Sequence, residues 1–465
     1  MSGIELHAIE RRLRSERMLE VQPVTIGTPM GNEIAGACVD SRRARPGSLF
    51  VALPGERTDG HQFVDHAAQG GAIAALVRRE RLPELRDTVC GSIVLYPVSD
   101  TLESFHAIAR AWRQSHPELI RIGITGSNGK TTTKELLTAI LSQVAVTIHS
   151  RGNYNSDIGL PVELLRIRPE HQFGVFEMGM NKPGEIKRLA ELVEPGIALI
   201  TNIGTAHIGM IGSQDGIASQ KRDIFSSFSG EETALVPAAS GYADFLAEGV
   251  RGTVVRYGRD TAGLERAESL GVDGTLLHCA EGVVHLRIPG RQMVENAVAA
   301  VSVARRLEVP FEAIKAGVES VEPVFGRAEI VRGAITVIQD CYNANPESMK
   351  AALELLAESP TEGRRIAVLG AMKELGAMAN DAHRAVAEHA AELPIDQIIL
   401  VGDEFKEALG TTAVPRTKAH SYNDWERAVE DVRRAAAGDL VLLKGSRSVA
   451  LERLTPHLIG REVAS

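Results

Sequence analysis

Residues 123 to 135 read "GITGSNGKTTTKE", and the run Gly126-Ser127-Asn128-Gly129-Lys130-Thr131-Thr132 has the residue types that hold a phosphate chain. Glycines let successive backbone amides crowd around an anion, a lysine adds a point charge at the β/γ-phosphates, and the Thr131 hydroxyl suits Mg²⁺. The spacing departs from the common G-x-x-x-x-G-K-[ST] pattern, because Ile124 stands where the first glycine belongs. The context is nevertheless right: "LIRIGI" before it predicts a strand, and the pattern from about Lys130 to Gln143 predicts a helix. A glycine-rich turn that happens to precede a lysine is the alternative, and strand, loop and helix together weigh against it.

A phosphate loop of this kind needs a carboxylate at a nearby strand end to complete a cation's oxygen shell. Glu177, closing the predicted strand "FGVFE", stands at such a place, although a strand-end Glu taken alone is a solvated loop residue. His207 in "TNIGTAHIG" reads equally as a turn residue, a hydrogen-bonded core imidazole or a ligand, since Mg²⁺ prefers oxygen. From spacing alone Lys221 is a surface charge, Asn296 a helix-surface amide and Arg327 a linker charge. "NKPG" at 181 to 184 lacks the Asp of a guanine-binding motif, and neither His-Arg-Asp nor Asp-Phe-Gly occurs, so GTPase and protein kinase readings fall behind.

These residues must be carried by several units. A chain of 465 residues exceeds one ordinary core and predicts about three domains. From Ala37 to Trp112, "SLFVAL", "IAALV" and "SIVLY" alternate with helical stretches such as 101 to 115, which predicts a small α/β domain ending near the His-Pro break at 116 to 117. From about 119 the pattern becomes strand, loop and helix units of a parallel sheet, with strands at "FGVFE" and "IALIT" and a helix starting near Pro183. Short β-like runs at "GTVVRYG" and "GVVHLRI" precede the helical "MVENAVAAVSVARRL". From about 327 a third α/β block carries strands at "ITVIQD", "RIAVLG", "QIILVG" and "DLVLLK". The expected boundaries are 1–116, 117–325 and 326–465.

The net charge of −9 disfavours nucleic acid and anionic membrane as main partners. No run of about 18 apolar residues predicts a membrane span, and the N-terminal stretch lacks a signal-peptide core; a cytoplasmic protein is expected. The four cysteines, Cys38, Cys90, Cys279 and Cys341, form no C-x-x-C pair and read as free and mostly buried.

The loop written G-[ST]-x-G-K-[ST], followed in order by "GNYNSDIGLP" (152 to 161), "EMGMNKPGEI" (177 to 186), "TNIGTAHIGMIGS" (201 to 213) and "GIASQKRDIF" (216 to 225), resembles the central domain of the Mur ligases. These are ATP-dependent amide-forming enzymes of peptidoglycan precursor synthesis. The resemblance implies an α/β fold of three domains: an N-terminal uridine-nucleotide domain, a central P-loop-type ATPase domain with a parallel sheet, and a C-terminal Rossmann-like domain binding the incoming amine. It implies that ATP is held by Gly126 to Thr132, Asn296 at the adenine, Arg327 near the phosphates and Asp340 at the ribose. It also implies Mg²⁺ held by Thr131, Glu177, His207 and Lys221, the last as a carbamate, with Lys130, Glu177, His207 and Lys221 serving catalysis.

"DSRRARPGSLFVALPGERTDGHQF" (40 to 63) resembles the uridine-nucleotide domain shared by the members that add the third residue and the D-alanyl-D-alanine dipeptide. Ser41 and Arg42 would touch that substrate. "DCYNANPESM" (340 to 349) resembles the dipeptide-adding member, and no D-x-P-R of the third-residue ligase is present. Asn343, Asn345, Lys444, Ser446 and Arg447 would then contact substrate, with structural loop roles an equal alternative. The implied reaction joins D-alanyl-D-alanine to UDP-N-acetylmuramoyl-tripeptide through an acyl phosphate, in a monomer that hinges near 322 to 328. A third-residue ligase or a folylpolyglutamate synthetase is the nearest rival, and a non-catalytic ATP-binding module the rival of another class. Ser156 and Ala371 depart from the family pattern, which often has Asn and Asp there.

Overall fold

The computed structural model describes residues 3–55, 58–405 and 418–459; Glu56 and Arg57 of the predicted uridine-domain motif lie outside them. Three α/β units follow one another along the chain. The first is built on a five-stranded sheet in the order Val24–Ile26, Ile93–Val98, Ala72–Arg78, Ser48–Val51 and Gly36–Cys38. Only its Val24–Ile26 edge is antiparallel. This unit begins earlier than the alternating pattern indicates, with the helix Leu6–Ser15, which buries only Ile9 and Leu13. Two apolar anchors among charged residues are a weak periodic signal.

The central sheet is wholly parallel, in the order Thr253–Tyr257, Thr233–Pro237, Ile197–Ile200, Ile120–Thr125, Phe173–Glu177 and Thr147–His149. Its inner strands are buried on both faces, as parallel strands flanked by helices must be. Ile122, Ile124, Val175 and Leu199 pack with Leu136, Leu137 and Ile140 of the helix Lys130–Leu141 and with the helix Arg291–Arg306. Phe176, Ala198 and Ile200 face the other way, toward Leu160, Ile186 and Leu189. The loop and Glu177 both sit at strand carboxyl ends where the chain order reverses about Ile120–Thr125, the place where open α/β sheets leave a crevice.

A three-stranded antiparallel sheet, Leu264–Ser269, Thr275–Cys279 and Gly282–Leu286, flanks this unit. The third unit is Rossmann-like: Thr336–Asp340, Leu440–Lys444, Arg365–Gly370, Gln397–Val401 and Ala419–Tyr422 are parallel neighbours, with Glu329–Val331 antiparallel at one edge. All four cysteines are free, but only Cys38 and Cys341 are buried; Cys90 is exposed and Cys279 half-buried. No described helix is long and apolar enough to cross a membrane.

Candidate active site

The chain leaves Ile120–Thr125, turns through the glycine loop and enters the helix Lys130–Leu141 at Gly129. Gly129 has φ 79°, and a Cβ there would overlap the Asn296 side-chain oxygen, so both conformation and space require glycine. The loop is braced from the next strand end. Ser127 N–H donates to the Asn202 carbonyl at 3.0 Å and Asn128 N–H to its side-chain oxygen at 2.9 Å, while the Thr201 hydroxyl donates to the Asn128 carbonyl at 2.6 Å. At the helix start, amide groups without intrahelical acceptors remain available to an anion.

Beside the loop, Thr131 Oγ1 donates to Glu177 Oε2 at 2.9 Å, and Asn155 Nδ2 donates to Glu177 Oε1 at 2.8 Å. The Glu177 N–H is held by Ser150 Oγ at 3.0 Å. Glu177 is buried, yet its carboxylate has these partners and Lys134 Nζ at 3.9 Å. Lys134 is itself buried, with Nζ 3.0 Å from Glu135. Two adjacent hard oxygen donors below a phosphate loop suit Mg²⁺, whose shell water and phosphate oxygens complete. Among the described residues no group of three or more His, Cys, Asp and Glu forms a ready-made metal cage.

Lys130 Nζ donates to the carbonyls of Gly126 and Ser127 at 2.8 and 3.3 Å. Burial lowers its pKa, opposed by Glu177. Lys221, at the end of the helix Gln214–Arg222, is buried and not the surface charge that spacing suggests. Its amine makes no ion pair or hydrogen bond among the described residues, and burial, with Lys130 adding repulsion, pushes its pKa well below the lysine range. An unpaired buried ammonium is costly, so the neutral amine is the form the site favours. His207 has φ 64° and lies with Nδ1 2.7 Å from Glu374 Oε2 of the third unit. Burial lowers its pKa, Glu374 opposes that, and Lys130 and Lys221 reinforce it.

A cavity of about 400 Å³ lies between the second and third units. The stretch from Ser127 to Thr132, Glu177, His207, Asn296, Arg327, Asp340, Asn343 and Lys444 all line it. Lys444 Nζ is 3.0 Å from Asp340 Oδ2 and donates to the Asn343 carbonyl at 2.7 Å. Arg327 lies over the Tyr342 ring at 4.4 Å. Gly126 and Lys221 do not line it, and Asn345 lies beside it, bonded to the lining residue Asn128.

Besides Asn345, four of the predicted substrate residues do not reach this lining. Ser41 Oγ is 3.0 Å from His66 Nδ1, and Arg42 is paired with Asp40 at 2.8 Å, both in the first unit. The first unit meets the second where Arg43 donates to the Tyr154 hydroxyl. Ser446 Oγ accepts from the Lys373 N–H at 3.0 Å, and Arg447 pairs with Glu452 at 2.7 Å. Residues missed from sequence are Asn155, Lys134, Glu347 and Glu374. Asn155 and Glu347 both sat inside quoted motifs; Glu347 accepts from Thr205 N–H and hydroxyl at 3.1 and 2.9 Å.

Comparison with known proteins places this geometry among relatives. Residues 33–125 match the model of the Mur ligase family catalytic domain, 124–304 the Mur ligase middle domain, and 326–447 the Mur ligase glutamate ligase domain. A UDP-N-acetylmuramoyl-tripeptide--D-alanyl-D-alanine ligase of Treponema pallidum is 39% identical over 431 residues, covering 91% of this chain and 93% of its own. The Escherichia coli protein of that name is 36% identical, covering 90% and 92%. Among solved structures, MurF from Acinetobacter baumannii superposes with a TM-score of 0.84 at 32% identity, covering 97% of this chain and 98% of its own. The MurF ligase of Thermotoga maritima in complex with ADP gives 0.76 at 26% identity, covering 91% and 96%.

Proposed function

The chain belongs to the Mur ligase family, and from that premise we propose that it joins D-alanyl-D-alanine to UDP-N-acetylmuramoyl-tripeptide at the expense of ATP. The observation that carries this reading is the single cavity that has the phosphate loop and Glu177 on one wall and Asp340, Tyr342 and Asn343 of "DCYNANPESM" on the other. The three units take the proposed bounds 1–116 for the uridine nucleotide, 117–325 for ATP and 326–465 for the dipeptide. Ser41 and Arg42 are assigned to the substrate's nucleotide end, away from the cavity. Asn343, Asn345, Lys444, Ser446 and Arg447 are assigned to its peptide end and the dipeptide.

A carboxylate is a poor electrophile, and phosphorylation makes it a good one. In the proposed reaction the terminal carboxylate oxygen of the tripeptide forms a bond to the γ-phosphorus of ATP as the bond to the ADP oxygen breaks. The dipeptide amine then attacks the acyl carbon, loses a proton and expels inorganic phosphate. Lys130 and the amides of 129 to 132 offset charge on the transferring group, and Asn296 and Asp340 orient the nucleoside. Thr131, Glu177 and His207, with Lys221 as a carbamate, would hold Mg²⁺, which supplies charge neutralisation at the phosphates when bound. Carbamate formation needs a neutral lysine amine, a form that the burial of Lys221 and the nearby Lys130 charge favour. The third unit, hinging near 322 to 328 where Gly326 and Ala328 take positive φ, would shield the acyl phosphate from water.

The proposed setting is a cytoplasmic monomer with no nucleic acid or membrane partner. The test is incubation with ATP, Mg²⁺, the UDP-tripeptide and D-alanyl-D-alanine, reading phosphate and product mass. Phosphate release that requires both peptide substrates and yields the pentapeptide is the expected result. Release with a shorter precursor and a single amino acid would favour the third-residue reaction, and none with any acceptor would leave a nucleotide-binding module.

A further inference from the structure

Glu374 and His207 come from different units, yet their surroundings press them together. His207 Nδ1 lies 2.7 Å from Glu374 Oε2, and Gly209 N–H donates to the Glu374 carbonyl at 3.0 Å. A Cβ on Gly209 would lie 2.7 Å from both the Glu374 oxygen and the Gly376 nitrogen, so the two backbones touch here. Both members of the pair hold left-handed backbone, φ 64° at His207 and 66° at Glu374, a strained conformation for a non-glycine residue. Strain on both sides of one contact marks a geometry that the fold enforces. The Glu374 side chain is 54% exposed, so packing does not explain its placement, and both side chains line the cavity.

A carboxylate on one imidazole nitrogen decides what the other can do. With the proton held on Nδ1, the lone pair resides on Nε2, and a histidine oriented in this way is a better metal ligand than a free one. Nε2 of His207 has no hydrogen-bond partner among the described residues.

We propose that Glu374 is a positioning residue that fixes His207 as the Nδ1–H tautomer and so presents Nε2 to the divalent cation. Because Glu374 belongs to the third unit, the cation site reaches full affinity only when that unit is docked. The inference rests on the proposed reading of His207 as a cation ligand, and goes beyond it by naming the group that orients the ring and ties it to domain closure.

The test uses the full chain labelled with ¹⁵N-histidine, ADP, and Mn²⁺ as probe read by electron paramagnetic resonance, with His207 assigned by its loss in His207→Ala. The wild type is expected to show the Nδ1–H tautomer when Mg²⁺ replaces Mn²⁺. Glu374→Ala should move His207 toward the mixed tautomer and weaken Mn²⁺ about tenfold. Glu374→Gln, whose amide oxygen still accepts, should retain the tautomer and lose less. Unchanged tautomer and Mn²⁺ affinity in Glu374→Ala, with affinity lost in His207→Ala, would overturn the inference alone. Unchanged affinity in His207→Ala would overturn the cation reading and this inference with it. Should Glu374→Ala fail to fold, an Nε2–H tautomer in the wild type overturns the inference by itself.

Discussion

Asn345 Nδ2 donates to Asn128 Oδ1 at 2.6 Å, so the residue that starts a helix in the third unit also holds the phosphate loop of the second. Its own side-chain oxygen accepts from Ser348 N–H at 2.9 Å, and the Ser348 hydroxyl accepts from Asn345 N–H at 3.1 Å, a capping box on Pro346–Glu358. One amide therefore links helix stability to loop position.

Asn345→Ala should cost the cap about 1 kcal/mol of stability. Loss of the Asn128 bond, also worth about 1 kcal/mol, should raise the KM for ATP about fivefold. Asn345→Asp separates the two effects, since a carboxylate still caps but cannot donate to Asn128. Thermal melting should place it near wild type while its KM for ATP rises.

Lys130→Ala is expected to abolish ATP turnover, and Gly129→Ala to reduce it at least tenfold, because a side chain must adopt φ 79° and displace Asn296. A methyl group in that conformation costs about 1–2 kcal/mol before any overlap. Phosphate release under saturating substrates measures both.

Lys221→Ala should lose activity at least a hundredfold, with partial recovery when formate or acetate is added to supply the missing carboxylate oxygens. In wild type, ¹³C-bicarbonate should give a carbamate carbon resonance that Lys221→Ala lacks. Full activity in the plain variant would remove the carbamate from the account.

His383 predicts a pH dependence of stability. It is buried, with Nε2 accepting from Met372 N–H at 2.9 Å and Nδ1 donating to the Ala379 carbonyl at 2.6 Å. Burial lowers its pKa, partly opposed by that carbonyl and Glu404 and aided by Lys373. The unfolded chain therefore binds this proton at higher pH than the folded one. The stabilisation is fully present above the unfolded value of about 6.5 and is lost as pH falls through the depressed folded value. Melting temperatures of wild type and His383→Gln should converge as the pH is lowered from 7.5 to 5.

The strands were legible because each is a short apolar run: "FGVFE" and "RIAVLG" match Phe173–Glu177 and Arg365–Gly370 residue for residue, the first ending in the site carboxylate. The helix after the loop ends at Leu141, two residues before the expected Gln143. Thr233–Pro237 escaped notice because its "TALVP" is short and ends in proline, and Thr147–His149 because an edge strand of three residues carries no pattern. The loop and Glu177 were read from residue types and their strand context, and motif resemblance gave His207 and Lys221 their roles, while the burial and pairing of all of them were not legible. Glu374 with His207, Glu347 with Thr205 and Asn345 with Asn128 join residues more than a hundred positions apart, and no local periodicity encodes such contacts. Lys134 illustrates the limit: one turn beyond Lys130 it reads as a solvated charge, and it lies buried near Glu177.

The central claim is that ATP activates the tripeptide carboxylate as an acyl phosphate, and oxygen transfer tests it most directly. UDP-N-acetylmuramoyl-tripeptide carrying ¹⁸O in its terminal carboxylate would be turned over with ATP and D-alanyl-D-alanine in unlabelled water, and the inorganic phosphate analysed by mass. The account predicts one ¹⁸O in each phosphate formed, matched by one pentapeptide. Phosphate without label, its new oxygen drawn from water, would contradict it.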